Sequence, residues 1–160
     1  MATKLFLRTT TANLSGYQDL LVTAGASVTH AIVNTAASGT NIQWTATAGG
    51  STIAWITAPF ASNVTITTTD INIWASESNS TANAGGRYKL YRYTGGAEAD
   101  TLGGPFDDGV EFTKTTSTLM TWIGNNTDVA FLAGDRLVLK MFITNVGVMG
   151  GSLTCSLDYN

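Results

Sequence analysis

Leu153-Thr154-Cys155-Ser156-Leu157-Asp158-Tyr159 sets Leu153, Cys155, Leu157 and Tyr159 on one side and Thr154, Ser156 and Asp158 on the other. Successive side chains of a strand point to opposite faces, so this heptapeptide reads as a strand with one dry and one wet side. Cys155 falls on the dry side and reads as a small core residue. The preceding stretch alternates too. From Asp135 to Ile143, Leu137, Leu139, Met141 and Ile143 share one face, and Arg136, Val138, Lys140 and Phe142 share the other. Its second face is amphipathic, which marks a central strand.

The same period recurs along the chain. It predicts strands at Lys4 to Thr9, Ser27 to Val33, Asn41 to Thr47, Thr52 to Thr57, Asn63 to Trp74, Arg87 to Tyr93, Val110 to Lys114, Leu119 to Ile123 and Val129 to Phe131. In the long strand, Val64 and Ile66 hold even positions but Ile71 and Ile73 odd ones. An extra residue between Thr67 and Asp70 must therefore shift the register, as a bulge does. Gly49-Gly50, Gly85-Gly86, Gly95-Gly96, Gly103-Gly104 and Gly150-Gly151 are expected at turns, as is Asp108-Gly109. Thr10 to Gly25 is irregular, with a single helical turn possible at Asp19 to Val22, and Ser76 to Gly86 reads as a polar loop.

Composition agrees. Roughly a sixth of the 160 residues are Thr, where about a twentieth is ordinary, and only 12% are charged against 44% hydrophobic. Thr is β-branched and suits a half-exposed strand, while the usual fillers of helix surfaces are scarce. The expected fold is all-β: one two-sheet antiparallel sandwich spanning residues 1–160, of jelly-roll type.

A net charge of −3 and a pI of about 4.8 leave no global positive field, so nucleic acid is not an expected partner. No apolar run reaches the length of a signal peptide or a membrane span, so the chain is expected to be made in the cytoplasm and to stay soluble, with no membrane contact. One cysteine cannot form an internal disulfide.

Catalytic groups are poorly supplied. His30 is the one histidine and reads as partly buried in its strand, with no second histidine or recognisable nucleophile spacing beside it. Glu98, Asp100, Asp107, Asp108 and Glu111 form an acidic stretch that matches no calcium-loop spacing, so neither cofactor nor metal is expected. Trp44, Trp55, Trp74 and Trp122 read as core. The densest basic and aromatic run is Arg87-Tyr88-Lys89-Leu90-Tyr91-Arg92-Tyr93, one face of which carries Arg87, Lys89, Tyr91 and Tyr93. Tyr and Arg favour protein contacts, so these four are candidate partner-binding residues. A second candidate is Asn145 to Gly151. If the last two strands pair as a hairpin, Val146, Val148 and Met149 stand at its tip as an apolar docking patch or fold back as a plug.

Three stretches carry a family resemblance: Met1 to Leu7; Glu77-Ser78-Asn79 with Ala82-Asn83-Ala84 ahead of the aromatic strand; and Gly134-Asp135-Arg136-Leu137-Val138-Leu139. With these the chain resembles small virion structural proteins of tailed bacteriophages and prophages. The resemblance implies a non-catalytic virion part of jelly-roll or related sandwich fold and leaves its place open between capsid surface, neck and tail. A rigid, disulfide-free sandwich with few charges and much Thr, Asn and Ala fits best a homo-oligomeric capsid decoration protein that contacts the major capsid protein or other virion proteins. A tail or baseplate adhesion module that binds cell-surface glycans is the first alternative, and a metal-dependent glycan hydrolase the second.

Overall fold

A computed structural model describes residues 3–25, 28–34, 42–45, 51–78, 83–102, 106–114, 116–145 and 153–159. It is an all-β sandwich of two sheets, with no helix among the described residues. The strands are β1 (Phe6–Thr11), β2 (Gln18–Leu21), β3 (Val28–Asn34), β4 (Ile42–Gln43), β5 (Trp55–Ile56), β6 (Val64–Glu77), β7 (Ala84–Thr94), β8 (Ala97–Thr101), β9 (Phe106–Glu111), β10 (Thr113–Lys114), β11 (Thr118–Phe131), β12 (Arg136–Asn145) and β13 (Leu153–Tyr159).

Sheet A runs β1-β2-β5-β12-β7-β8, with β4 also on β12 and β9 also on β7. Sheet B runs β10-β6-β13-β3, with β11 on β6. Pairing is antiparallel except for the short β2–β5 and β10–β6 contacts. From β6 onward the chain crosses between sheets at β6–β7, β9–β10, β11–β12 and β12–β13, the back-and-forth path of a jelly-roll type sandwich.

The inward faces meet in one core. Leu7, Trp55, Tyr88, Leu90, Leu137, Leu139, Met141 and Ile143 come from sheet A, and Ile73, Ala75, Met120, Phe131, Cys155, Leu157 and Tyr159 from sheet B. Trp55 meets Tyr159 edge to face at 5.5 Å. Tyr88 reaches across and its hydroxyl donates to the Thr69 carbonyl at 3.1 Å. A Cβ on Gly124 would sit 2.2 Å from that hydroxyl, so glycine is what lets the phenol pass.

The change of phase in β6 is present: Thr67 and Thr68 are both exposed, and Ile66 and Ile71 each turn to the core. The extra residues lie on β11, however: Asn125 pairs with Thr68 and Val129 with Ile66, so Asn126 to Asp128 face Thr67 alone. β12 is central, between β5 and β7.

Other expectations are corrected. β12 and β13 are not a hairpin: β12 lies in sheet A, while β13 lies in sheet B between β6 and β3. Each has a dry face because each covers the same core from opposite sides, and alternation alone cannot say which sheet a strand joins. Residues 19–21 are strand, not a helical turn. Gly85 and Gly86 lie within β7 and Gly109 within β9, while Gly95-Gly96 is a turn at positive φ. Two predicted strands, at residues 119–123 and 129–131, are one continuous β11.

Candidate binding face on the larger sheet

Antiparallel pairing of β7 with β12 sets Arg87 opposite Phe142, Lys89 opposite Lys140, Tyr91 opposite Val138 and Tyr93 opposite Arg136. Tyr88 and Leu90, and Leu137 and Leu139, take the core, so the pattern read from the sequence puts these pairs on the outer face. Arg87, Lys89, Tyr91 and Tyr93 are all half-buried there.

The face divides in two. Around Tyr91 and Tyr93 it is sealed: Ala12, Ala54, Ile56 and Val138 form a second small core, with Leu14, Tyr17, Tyr91 and Tyr93 packed on it. The cover is the segment after β1, whose turn closes with Ala12 N–H donating to Tyr17 O at 3.0 Å and Gly16 at a φ of 90°. The Tyr17 and Tyr93 rings meet edge to face at 6.0 Å. Tyr91 and Tyr93 are thus packing residues on one side and surface on the other.

Toward Lys89 and Arg87 the face is half-buried and charged. Lys89 and Lys140 are like charges directly opposed, which is unfavourable, and each turns to a different partner. Lys140 Nζ reaches Glu98 Oε2 at 2.7 Å and lies 4.8 Å from the Tyr91 ring centroid, while Lys89 Nζ lies 5.9 Å from that of Phe142. Tyr17 donates to Glu98 Oε1 at 2.6 Å. Burial and then this carboxylate push the Tyr17 phenol up, which keeps it a donor. Ser15, Gly16, Tyr17, Gln43, Thr52, Ala54, Glu98 and Lys140 line a depression of about 280 Å³. Gln43 uses its amide nitrogen on Ile53 O at 2.8 Å.

The acidic stretch is split. Glu98 is engaged as above, and Glu111 lies at the far end of β9 beside Asn83. The side chains of Asp100, Asp107 and Asp108 lie outside the described residues, as do residues 146–152 and with them Val146, Val148 and Met149. Among the described residues, no three or more His, Cys, Asp or Glu side chains gather as a metal-binding group. Cys155 is buried, and burial followed by the charge of Glu77 raises its thiol, which keeps it protonated.

Tyr17, Gln43, Glu98 and Lys140 were not singled out together by the sequence. They come from four separate segments, and no periodicity signals that the turn after β1 folds over β7.

No protein-family model matches the chain, and no curated protein matches it in sequence. Solved structures do match in shape. An aminopeptidase from the marine sediment archaeon Thaumarchaeota archaeon aligns with a TM-score of 0.62 at 11% identity, over 96% of this chain and 34% of its own. An α-amino acid ester hydrolase aligns at 0.55 and 9%, over 98% and 35%. A CocE/NonD family hydrolase from Staphylococcus aureus aligns at 0.54 and 6%, over 97% and 35%. The chain spans about a third of the length of these structures, and at such identity the likeness is one of fold. The VP2 subviral particle of infectious bursal disease virus also aligns, at a TM-score of 0.38 and 12% identity over 96% and 36%, too low a value to bear on fold or function.

Proposed function

We propose that the chain is a non-catalytic virion structural protein of a tailed phage, a capsid decoration protein that attaches through the outer face of sheet A. The single observation that carries the attachment surface is the division of that face. The turn after β1 seals one half, and the rigid strand pair then presents Arg87, Lys89, Phe142 and the rims of Tyr91 and Tyr93 beside it. Aromatic and Arg anchors held by packing at a shallow surface are what protein contacts favour. The particle itself is suggested by the resemblance of residues 1–7, 77–84 and 134–139. The hydrolases named above are about three times as long, so their activities are not carried over.

Copy number settles the reading: the protein should purify with particles at a number near that of the capsid protein. Arg87→Ala and Tyr91→Ala should each weaken attachment by about 1–3 kcal/mol with the fold kept. A protein that stays monomeric and never co-purifies with particles would sink it.

An adhesion role has one observation in its favour. The depression at Tyr17, Gln43, Glu98 and Lys140 offers donors and acceptors, with its carboxylate and ammonium neutralising each other, a lining suited to a neutral polyhydroxylated ligand. Glycan-array binding abolished by Gln43→Ala, without loss of particle attachment, would favour that role.

A further inference from the structure

We propose that Glu77, Asn83 and Glu111 form a binding site for a calcium-sized divalent cation at the β6–β7 corner. Glu77 is the last residue of β6 and continues the inward phase of Ile73 and Ala75, so an acid stands where the pattern calls for an apolar side chain. It is 1% exposed. Its Oε2 accepts the Ala84 N–H at 3.0 Å, and among the described residues its Oε1 meets no hydrogen-bond donor. A buried carboxylate oxygen with nothing to bond is costly unless a positive charge meets it.

The group nearest in charge is another acid. Burial raises the Glu77 carboxyl, the Ala84 N–H opposes that, and the Glu111 carboxylate, within hydrogen-bonding reach, raises it further both by its charge and by that contact. Glu111 is exposed, and both its oxygens face one end of the Asn83 amide, at 3.1 and 3.2 Å. Without a cation the amide is satisfied at both ends with its nitrogen there, donating to both Glu111 oxygens; turned over, it places its oxygen there and three oxygens converge for a cation. Asn83 holds a φ of 51°, in the left-handed region that Asn tolerates.

The donor set selects the ion. One Glu77 oxygen, two from Glu111 and one from Asn83 are hard ligands, four of the roughly six to eight that calcium takes, with carbonyls or water completing the shell. Two equidistant carboxylate oxygens suit calcium's bidentate mode better than the strict octahedron of magnesium. The side chain of Lys114, the neighbour of Glu77 in the β10–β6 ladder, lies outside the described residues. If its ammonium neutralises Glu77, calcium will have no effect, and the test below reads that directly.

The experiment is thermal unfolding of the full chain, dialysed against chelator and then titrated with CaCl2 or MgCl2, with equilibrium dialysis of calcium on the same samples. With only two carboxylates, a dissociation constant on the order of 10⁻⁵ to 10⁻³ M is expected. At a hundredfold excess over that constant the melting temperature should rise by about 5–10 °C, less with magnesium, with one calcium bound per chain. Glu111→Gln should abolish both rise and binding. Glu77→Gln should do the same while keeping an acceptor for Ala84 N–H; if it fails to fold, Glu111→Gln, an exposed change, decides alone. No rise in the wild-type protein up to about 10 mM calcium, or an equal rise in Glu111→Gln, overturns the proposal.

Discussion

The outer faces of the two sheets are built from the same alternation and come to opposite ends. On sheet A, Val138 points away from the main core and is still 0% exposed, because the turn at residues 12–17 and the rings of Tyr91 and Tyr93 close over it. On sheet B, Trp74 and Leu119 stand directly opposite each other across β6 and β11, 48% and 53% exposed. Their surroundings are polar. Thr121 donates to Asn72 at 2.8 Å, and Ser117 donates to Asp158, the neighbour of Trp74 on β13. An outward strand position is therefore dry or wet according to what the connecting segments do, and the strand's own pattern does not decide it.

The sharpest way to break this contrast is to put a charge at each position. Val138→Asp would place a carboxylate in a sealed apolar pocket and should cost on the order of 3–5 kcal/mol, enough to lower the melting temperature by about 10 °C or more. Trp74→Asp on the other face should cost less than about 1 kcal/mol. Equal losses for the two variants, read by chemical denaturation, would mean that the cover over sheet A is not closed.

A smaller effect tests what holds the cover. Tyr17→Phe keeps the ring against Tyr93 and removes the hydroxyl that donates to Glu98. A hydrogen bond to a charged group, discounted here because Glu98 is partly exposed, contributes about 1–2 kcal/mol. The melting temperature should fall by about 2–6 °C, with faster hydrogen exchange at Ala12. An unchanged melting temperature would show that packing alone seats the turn.

The sequence reached some of this and stopped for physical reasons. The shift from even to odd positions between Ile66 and Ile71 is enough to show a change of phase there, because a period of two leaves no other way to keep both residues inward, but it does not show that the extra residues sit on the partner strand, at Asn126 to Asp128. The face shared by Arg87, Lys89, Tyr91 and Tyr93 was legible for the same reason. Sheet membership was not: Leu153 to Tyr159 and Asp135 to Ile143 have the same dry-and-wet signature, which fits hairpin partners and opposite layers equally. Nor could Glu98 be separated from its acidic neighbours, since its partners Tyr17 and Lys140 are remote in sequence. Glu77 did carry a signal, as an acid two residues beyond Ala75 in the inward phase, but only a strand extended past Trp74 exposes it.

Trp74 carries the smallest expected change in stability and the most direct optical reading of the contrast. Trp44 and Trp55 are fully buried, Trp44 against Phe112 and Trp55 against Tyr159, with Trp55 Nε1 donating to Arg8 O at 3.2 Å. Their emission should resist quenching by acrylamide. Trp74 is half in water, so it should supply a quencher-accessible, red-shifted component. Trp74→Phe keeps an aromatic ring opposite Leu119 and should move stability by no more than about 0.5 kcal/mol. The accessible component should fall with it. If the accessible fraction is unchanged and stability drops by more than about 2 kcal/mol, Trp74 is covered in solution and the open character of sheet B is wrong. If the accessible component is absent only at high protein concentration, a second copy covers this face, and docking would then belong to sheet B as well as to the Arg87 and Lys89 side of sheet A.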